Sequence, residues 1–154
     1  MNSIDKLISL ANVRGSLDLR CQFQGDWARG HEQEILGKAP YHIVLEGECR
    51  VEFPDGQRLP MRAGDILLLP RGAPHVMRSI GKPAEPSTPR LISNAPLPLY
   101  RIGDVSTDLD MLCGGFHYNR TSMLFAALPE HLVIPSAALP KSAPLPALVE
   151  MLRG

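Results

Sequence analysis

The sequence predicts a mainly β protein built as one antiparallel barrel or sandwich, and three observations carry that prediction. Short segments of alternating apolar and polar residues recur at even spacing, glycine-bearing turn signals separate them, and the composition opposes long helices: 15 prolines and 13 glycines stand against 5% aromatic residues. A chain of 154 residues has the length of one ordinary domain with a real core.

Taken in chain order, Ser3 suits the N-cap of a short helix over residues 4–11, whose Ile4, Leu7, Ile8 and Ala11 fall on one face. Past Arg14-Gly15 the period becomes two. Leu17, Leu19, Cys21 and Phe23 alternate with Asp18, Arg20 and Gln22, which predicts a half-buried strand with Cys21 on its inner face. A loop carrying His31 leads to "PYHIVLEGECRVEF", read as two strands around a turn at Gly47. "PDGQ" at 54–57 and Ala63-Gly64 are further turns, and "DILLLP" is continuously apolar, as a strand covered on both faces is. Residues 80–108, rich in proline and polar side chains and without either period, are expected to form a long surface loop. The strand pattern resumes in "DLDMLCGGFHYN", where Leu109, Met111, Cys113 and His117 share parity. "TSMLFAALPEHL" predicts a short helix, "VIP" a last strand, and "PLPALVEMLRG" the first turns of a helix.

Formal net charge is zero, so no global field draws the chain to nucleic acid or to an anionic membrane. No apolar run approaches the roughly 20 residues of a membrane span, and the N-terminus lacks a cleavage pattern; a cytoplasmic location and no membrane partner are expected. Three cysteines, Cys21, Cys49 and Cys113, with no C-x-x-C pair, argue against a secreted disulfide framework. Cys49, between charged residues, is expected to be a bystander. No G-x-S-x-G, G-x-G-x-x-G or Walker pattern is present.

One motif stands out. Gly64, Pro70, Gly72 and His75 have the form G-x5-P-x-G-x2-H: an apolar run crosses a barrel wall, and Pro-x-Gly then turns the next side chain into the mouth. This resembles the second conserved motif of the cupin superfamily, and Val44-Leu45-Glu46-Gly47 resembles the V-L-x-G of the first. The resemblance implies a cupin-like antiparallel β-barrel (a double-stranded β-helix, or jelly roll) with a few short helices at the termini. Metal-dependent cupins place His-x-His and then Glu ahead of V-L-x-G, whereas this chain reads "GHEQEILGKAPYHIVLEG", with His31 alone in the loop and His42 two residues before Val44. His31, His42 and His75 are therefore the candidate ligands of a zinc or iron ion. Water, or a thiolate from Cys21 or Cys113, is the candidate fourth ligand. The alternative leaves His42 and His75 as hydrogen-bonded pocket residues and His31 exposed.

A wider resemblance covers nearly the whole chain. "SLANVRGSLDLRCQFQGDW", "YHIVLEGECRVEFPDGQRLPMRAGDILLLPRGAPH", "LCGGFHYNR" and "LFAALPEHLVIP", in that order, are similar to the cupin domain at the N-terminus of a group of AraC/XylS-type transcription regulators. It implies a sensor domain over residues 1–140 and the start of a linker or dimerisation helix over 141–154. It also implies a homodimer, a small-molecule or oxidant effector, and DNA contact only through a helix-turn-helix domain outside this chain. Cys21 and Cys113 match the positions of a thiol pair that answers oxidants in some of these regulators. The competing expectation is a small metal-dependent cupin enzyme, an oxygenase or isomerase, working at His31, His42 and His75 with Glu32 and Glu34 as the nearby carboxylates.

Overall fold

The computed structural model describes residues 14–81, 87–103, 108–119 and 126–135. The helices expected over 4–11 and near the C-terminus, and most of the one expected from residue 121, lie outside them. The described residues form β1 (Arg14–Phe23), β2 (Ala28–His31), β3 (Lys38–Glu52), β4 (Arg58–Arg62), β5 (Asp65–Leu68), β6 (His75–Arg78), β7 (Arg90–Ser93), β8 (Leu99–Ile102), β9 (Leu109–His117) and β10 (Leu132–Pro135). Their connectivity is that of a curled sheet. One run has the order β10-β5-β3-β9-β1-β8-β7, and β2, β6 and β4 form a second run joined to it through β3.

β3 can serve both runs because it is 15 residues long. Its first part pairs with β5 and β9, and residues 48–52 pair with β4 and β6. The reversal expected at Gly47 is absent; the strand continues through it. What the sequence signal marks is a bulge: Val44 opposes Met111 and Glu46 opposes Asp110, leaving Leu45 as an extra residue. Gly47 follows at φ 80°, packed so closely that a Cβ there would collide with the Asp108 carbonyl.

The extra residue has a large effect on packing. Before it, the even positions His42 and Val44 face the interior; after it, the odd positions Cys49 and Val51 do. Cys49 is accordingly buried in the core, and burial pushes its thiol up to about 12.

Two apolar layers sandwich the first run. Tyr41, Ile43 and Leu45 of β3, Ile66 and Leu68 of β5, Leu112 and Phe116 of β9 and Ile134 of β10 form the outer layer, with Leu128 and Leu132 packed on it. Phe23, Val44, Leu67, Leu69, Leu109 and Met111 belong to the inner layer, beside Val51, Met61 and Met77 of the second run. β5 contributes to both layers, which is why its sequence is continuously apolar.

Residues 80–108 differ from the expected loop. β8 adds to the sheet parallel to β1, from Arg20↔Leu99 to Phe23↔Ile102, and β7 pairs antiparallel with β8. β8 packs Tyr100 and Ile102 on the inner layer, while β7 is held by backbone pairing at the sheet edge; all four of its residues are exposed, so no buried face imposes alternation there. β9 alternates as expected through Leu109 and Met111, but His117 at its end is exposed.

A candidate metal centre beside a thiol pair

Three strands and one turn assemble the histidine cluster. β2 and β6 pair antiparallel with His31 directly opposite His75, and the two rings stack with centroids 4.5 Å apart and planes 9° from parallel. His75 enters through the Pro70–Gly72 turn, closed by Gly72 N–H donating to the Leu69 carbonyl at 3.0 Å. Gly72 has φ 68°, and a Cβ there would strike the Glu34 side chain. His42 comes from the other run, in a rung with Leu67 on β5 and Cys113 on β9. Its ring centroid lies 4.9 Å from that of His31 and 5.2 Å from that of His75. One nitrogen from each of the three rings lies within 4.8 Å of the others.

The hydrogen bonds fix where the ring protons sit. Ala73's carbonyl can only accept, so His75 Nδ1, 2.9 Å away, is protonated and His75 Nε2 presents a lone pair. His42 Nε2 stands 3.0 Å from that atom and donates to it. His42 Nδ1 is then the acceptor for the Cys113 thiol at 3.1 Å. The chain of donors thus runs from Cys113 through His42 and His75 to Ala73. His31 Nε2 is buried and has no hydrogen-bond partner.

Burial holds all three imidazoles neutral. It lowers His31 to about 3, with the neighbouring His75 and Arg29 adding to the effect, and lowers His42 well below the usual histidine range. His75 is lowered by burial as well, against the opposing hydrogen bond to Ala73. Neutral imidazoles, one bearing an unused buried nitrogen and one a lone pair directed at its neighbour, are the donor set that zinc or iron accepts, so these residues fit such an ion.

Cys113 sits at Nδ1, on the side of the His42 ring away from the nitrogen that faces His75. In this arrangement it supports His42 from behind. Cys21 and Cys113 lie diagonally across the β1–β9 pairing, where Leu19 opposes Cys113 and Cys21 opposes Met111. The neighbouring Cys21 thiol, together with burial, holds Cys113 well above the ordinary thiol range. Both line a cavity of about 650 Å³ with the three histidines, walled by Leu19, Phe23, Tyr100 and Met111. Glu32 and Glu34 lie at its rim, and Glu34 pairs with Lys38 at 3.7 Å.

Several contributors to this site carry little sequence signal. Phe53, which follows the inward pair Cys49 and Val51 at the same parity, lies with its ring 6.5 Å from His75. The carbonyl of Ala73 orients His75, and Tyr100 comes from the segment expected to be a loop.

Comparison with known proteins agrees with this fold. Residues 3–154 match the cupin family. An uncharacterized HTH-type transcriptional regulator of Haemophilus influenzae is 37% identical over 135 residues, 87% of this chain and 45% of that protein. The HTH-type transcriptional regulator MtrA of Neisseria gonorrhoeae is 33% identical over 132 residues, 84% of this chain and 43% of that protein. The RCS-specific HTH-type transcriptional activator RclR of Escherichia coli is 28% identical over 75 residues, 49% of this chain and 26% of that protein. The chain spans less than half the length of these curated relatives, and none of its described helices is long and apolar enough to cross a membrane. With its curled β-sheet and its match running nearly end to end, the chain belongs to the cupin family, as a domain of the kind carried by HTH-type transcriptional regulators.

Proposed function

We propose that this chain is the sensory domain of a DNA-binding regulator and that its sensing centre is a zinc or iron ion held by His31, His42 and His75. The observation that carries this reading is the convergence of three neutral imidazoles within 4.8 Å, with a buried His31 nitrogen lacking any partner. A bound ion supplies a Lewis-acidic position on which a small effector in the cavity can place a donor atom. Holding the ion requires the His42 ring proton on Nδ1, turned toward Cys113. DNA is bound by a domain outside these residues, the working unit is a homodimer, and the setting is the cytoplasm. Occupancy shifts the balance between two arrangements of the dimer rather than driving a reaction. The test is the metal content of protein purified without chelator or histidine tag. Near-stoichiometric zinc or iron that disappears in the His42→Ala, His75→Ala double variant is expected; protein free of metal when purified under metal-replete conditions would refute the reading.

A second reading is favoured by the diagonal placement of Cys21 and Cys113 across the β1–β9 pairing, both lining the same cavity. A two-electron oxidant such as a peroxide converts one thiol to a sulfenic acid, and the other displaces water to leave one disulfide and two molecules of water. The name of the Escherichia coli relative, an RCS-specific activator, supports the same direction. Mass spectrometry after one equivalent of peroxide should show a loss of two hydrogens mapped to Cys21–Cys113. An enzyme reading has less support, because the relatives are named as regulators and Glu34 is already paired.

A further inference from the structure

Residues 128–135 are fastened to the outer apolar layer through Leu128, Leu132 and Ile134, and also to β5 and to the turn that delivers His75. β10 pairs only with β5, placing Val133 opposite Leu67, and Leu67 in turn opposes His42 on β3. Arg71, inside the turn that delivers His75, donates from Nη1 to the Leu128 carbonyl at 2.7 Å. The Arg71 carbonyl meanwhile accepts from Gln33 Nε2 at 2.8 Å, two residues beyond His31. His131 stacks on Phe53 with centroids 4.2 Å apart and planes 15° from parallel, and the same phenyl ring faces His75. Three separate contacts, one backbone ladder, one charge-assisted hydrogen bond and one ring stack, thus lead from residues 128–135 to within one side chain of His42, His31 and His75.

The strand itself is suited to switching. β10 has four residues, stands at the edge of its run, and leaves Val133 exposed while Ile134 is buried. A short edge strand with one buried anchor is near the low end of local stability, so small changes at its supports alter its opening. We propose that residues 128–135 are the output strap of the histidine site: filling that site draws the Leu69–His75 turn inward and, through Arg71, Phe53 and β5, tightens the strap. This deepens the sensory reading and rests on the histidine cluster being the sensing centre.

Hydrogen exchange of the full 154-residue chain, with zinc(II) alone as the probe, tests it. Zinc should slow amide exchange in residues 128–134 by about threefold or more, while exchange in the remote edge strand β7 stays constant. By reciprocity, Arg71→Met combined with His131→Ala should weaken zinc binding by the same factor. Zinc bound with no change at 128–134 overturns the strap and leaves the metal reading standing. Should zinc fail to bind, the metal reading falls, and the metal-free chain decides the strap through His75→Gln. That variant removes the ring that links Phe53 to the Ala73 carbonyl, and faster exchange at 132–134 supports the coupling while unchanged exchange overturns it. Phe53→Leu serves in the same way if circular dichroism shows that His75→Gln has not folded.

Discussion

Tyr41, Ile43 and Leu45 extend from one side of β3 into a layer made almost wholly of apolar side chains, whereas His42 and Val44 extend from the other side toward the cavity. The two sets alternate along five residues of a single strand, yet His42 differs in free-energy sign from the apolar residues on both sides of it. Each fully buried aliphatic side chain of the outer layer contributes about 1.5–3 kcal/mol of stabilisation. His42 lies just as deep, but its burial forces the ring to stay neutral and leaves its hydrogen-bonding needs to be met by Cys113 and His75. The apolar side chains of both layers therefore supply the stability that offsets the cost of holding three imidazoles together.

The largest effect expected from this contrast is on the outer layer. Ile43→Ala should cost about 4 kcal/mol in urea unfolding, because the fully buried side chain leaves a cavity the sheet cannot close, while zinc stoichiometry per folded molecule stays the same. Loss of zinc binding in that variant under folding conditions would show that the two faces are not separable. Next comes the inner face. His42→Leu should weaken zinc binding by more than about 100-fold in titration calorimetry while leaving metal-free stability unchanged or higher, since an apolar residue replaces a buried polar one. A marked loss of stability in chelator would instead mean that His42 is chiefly a structural hydrogen-bonding residue.

The pH dependence sharpens the same point. An unfolded chain binds a proton at each histidine near pH 6.5, whereas burial lowers the folded values, that of His31 to about 3. Between those limits the unfolded state holds more protons, so the stability of metal-free protein falls as pH drops from about 6.5 toward 3. His31→Leu should flatten that slope in urea midpoints measured at successive pH values; an unaltered slope would place the acid sensitivity elsewhere. The smallest effect is expected at the far edge. Ile92→Ser, on exposed β7, should change stability by less than about 0.5 kcal/mol. A larger loss would reveal a contact of that edge in the assembled protein.

How much of this was legible in the sequence depends on whether a residue's role leaves a periodic trace. The inward alternation of β1 from Leu19 to Phe23 and the double burial of β5 were readable because two packed layers dictate the side chains there, whereas a register shift between Leu17 and Leu19 puts Leu17, expected to face inward, on the outer layer. The Pro-x-Gly turn was readable because Gly72 adopts a left-handed conformation under close packing. β7 was missed for the converse reason: backbone pairing at an exposed edge makes no demand on side-chain order, and in β8 the inward pair Tyr100 and Ile102 is too short a pattern to stand out. In β3 the glycine signal at 47 was read as a reversal, when the chain needed glycine only to pass under the Asp108 carbonyl after the bulge. His31, His42 and His75 were named as candidates from the resemblance to the cupin motifs, but their common meeting point depends on β2–β6 register and on β3 serving two runs, neither of which a local pattern encodes. Phe53 and His131 are further from legibility, since a ring stack between distant segments has no sequence signature.

The division of the histidines between the two runs of the sheet has one more consequence. His42 hangs from the run containing β5 and β9, while His31 and His75 hang from the β2–β6 pair across the opening. A group gripped by all three measures the width of the barrel mouth, as a caliper does. Anything that widens the mouth, whether an oversized guest, heat or a strained partner domain, is felt as a loss of grip, and anything that grips harder narrows the opening through which guests enter. Selection by size and retention by coordination are then one and the same adjustment.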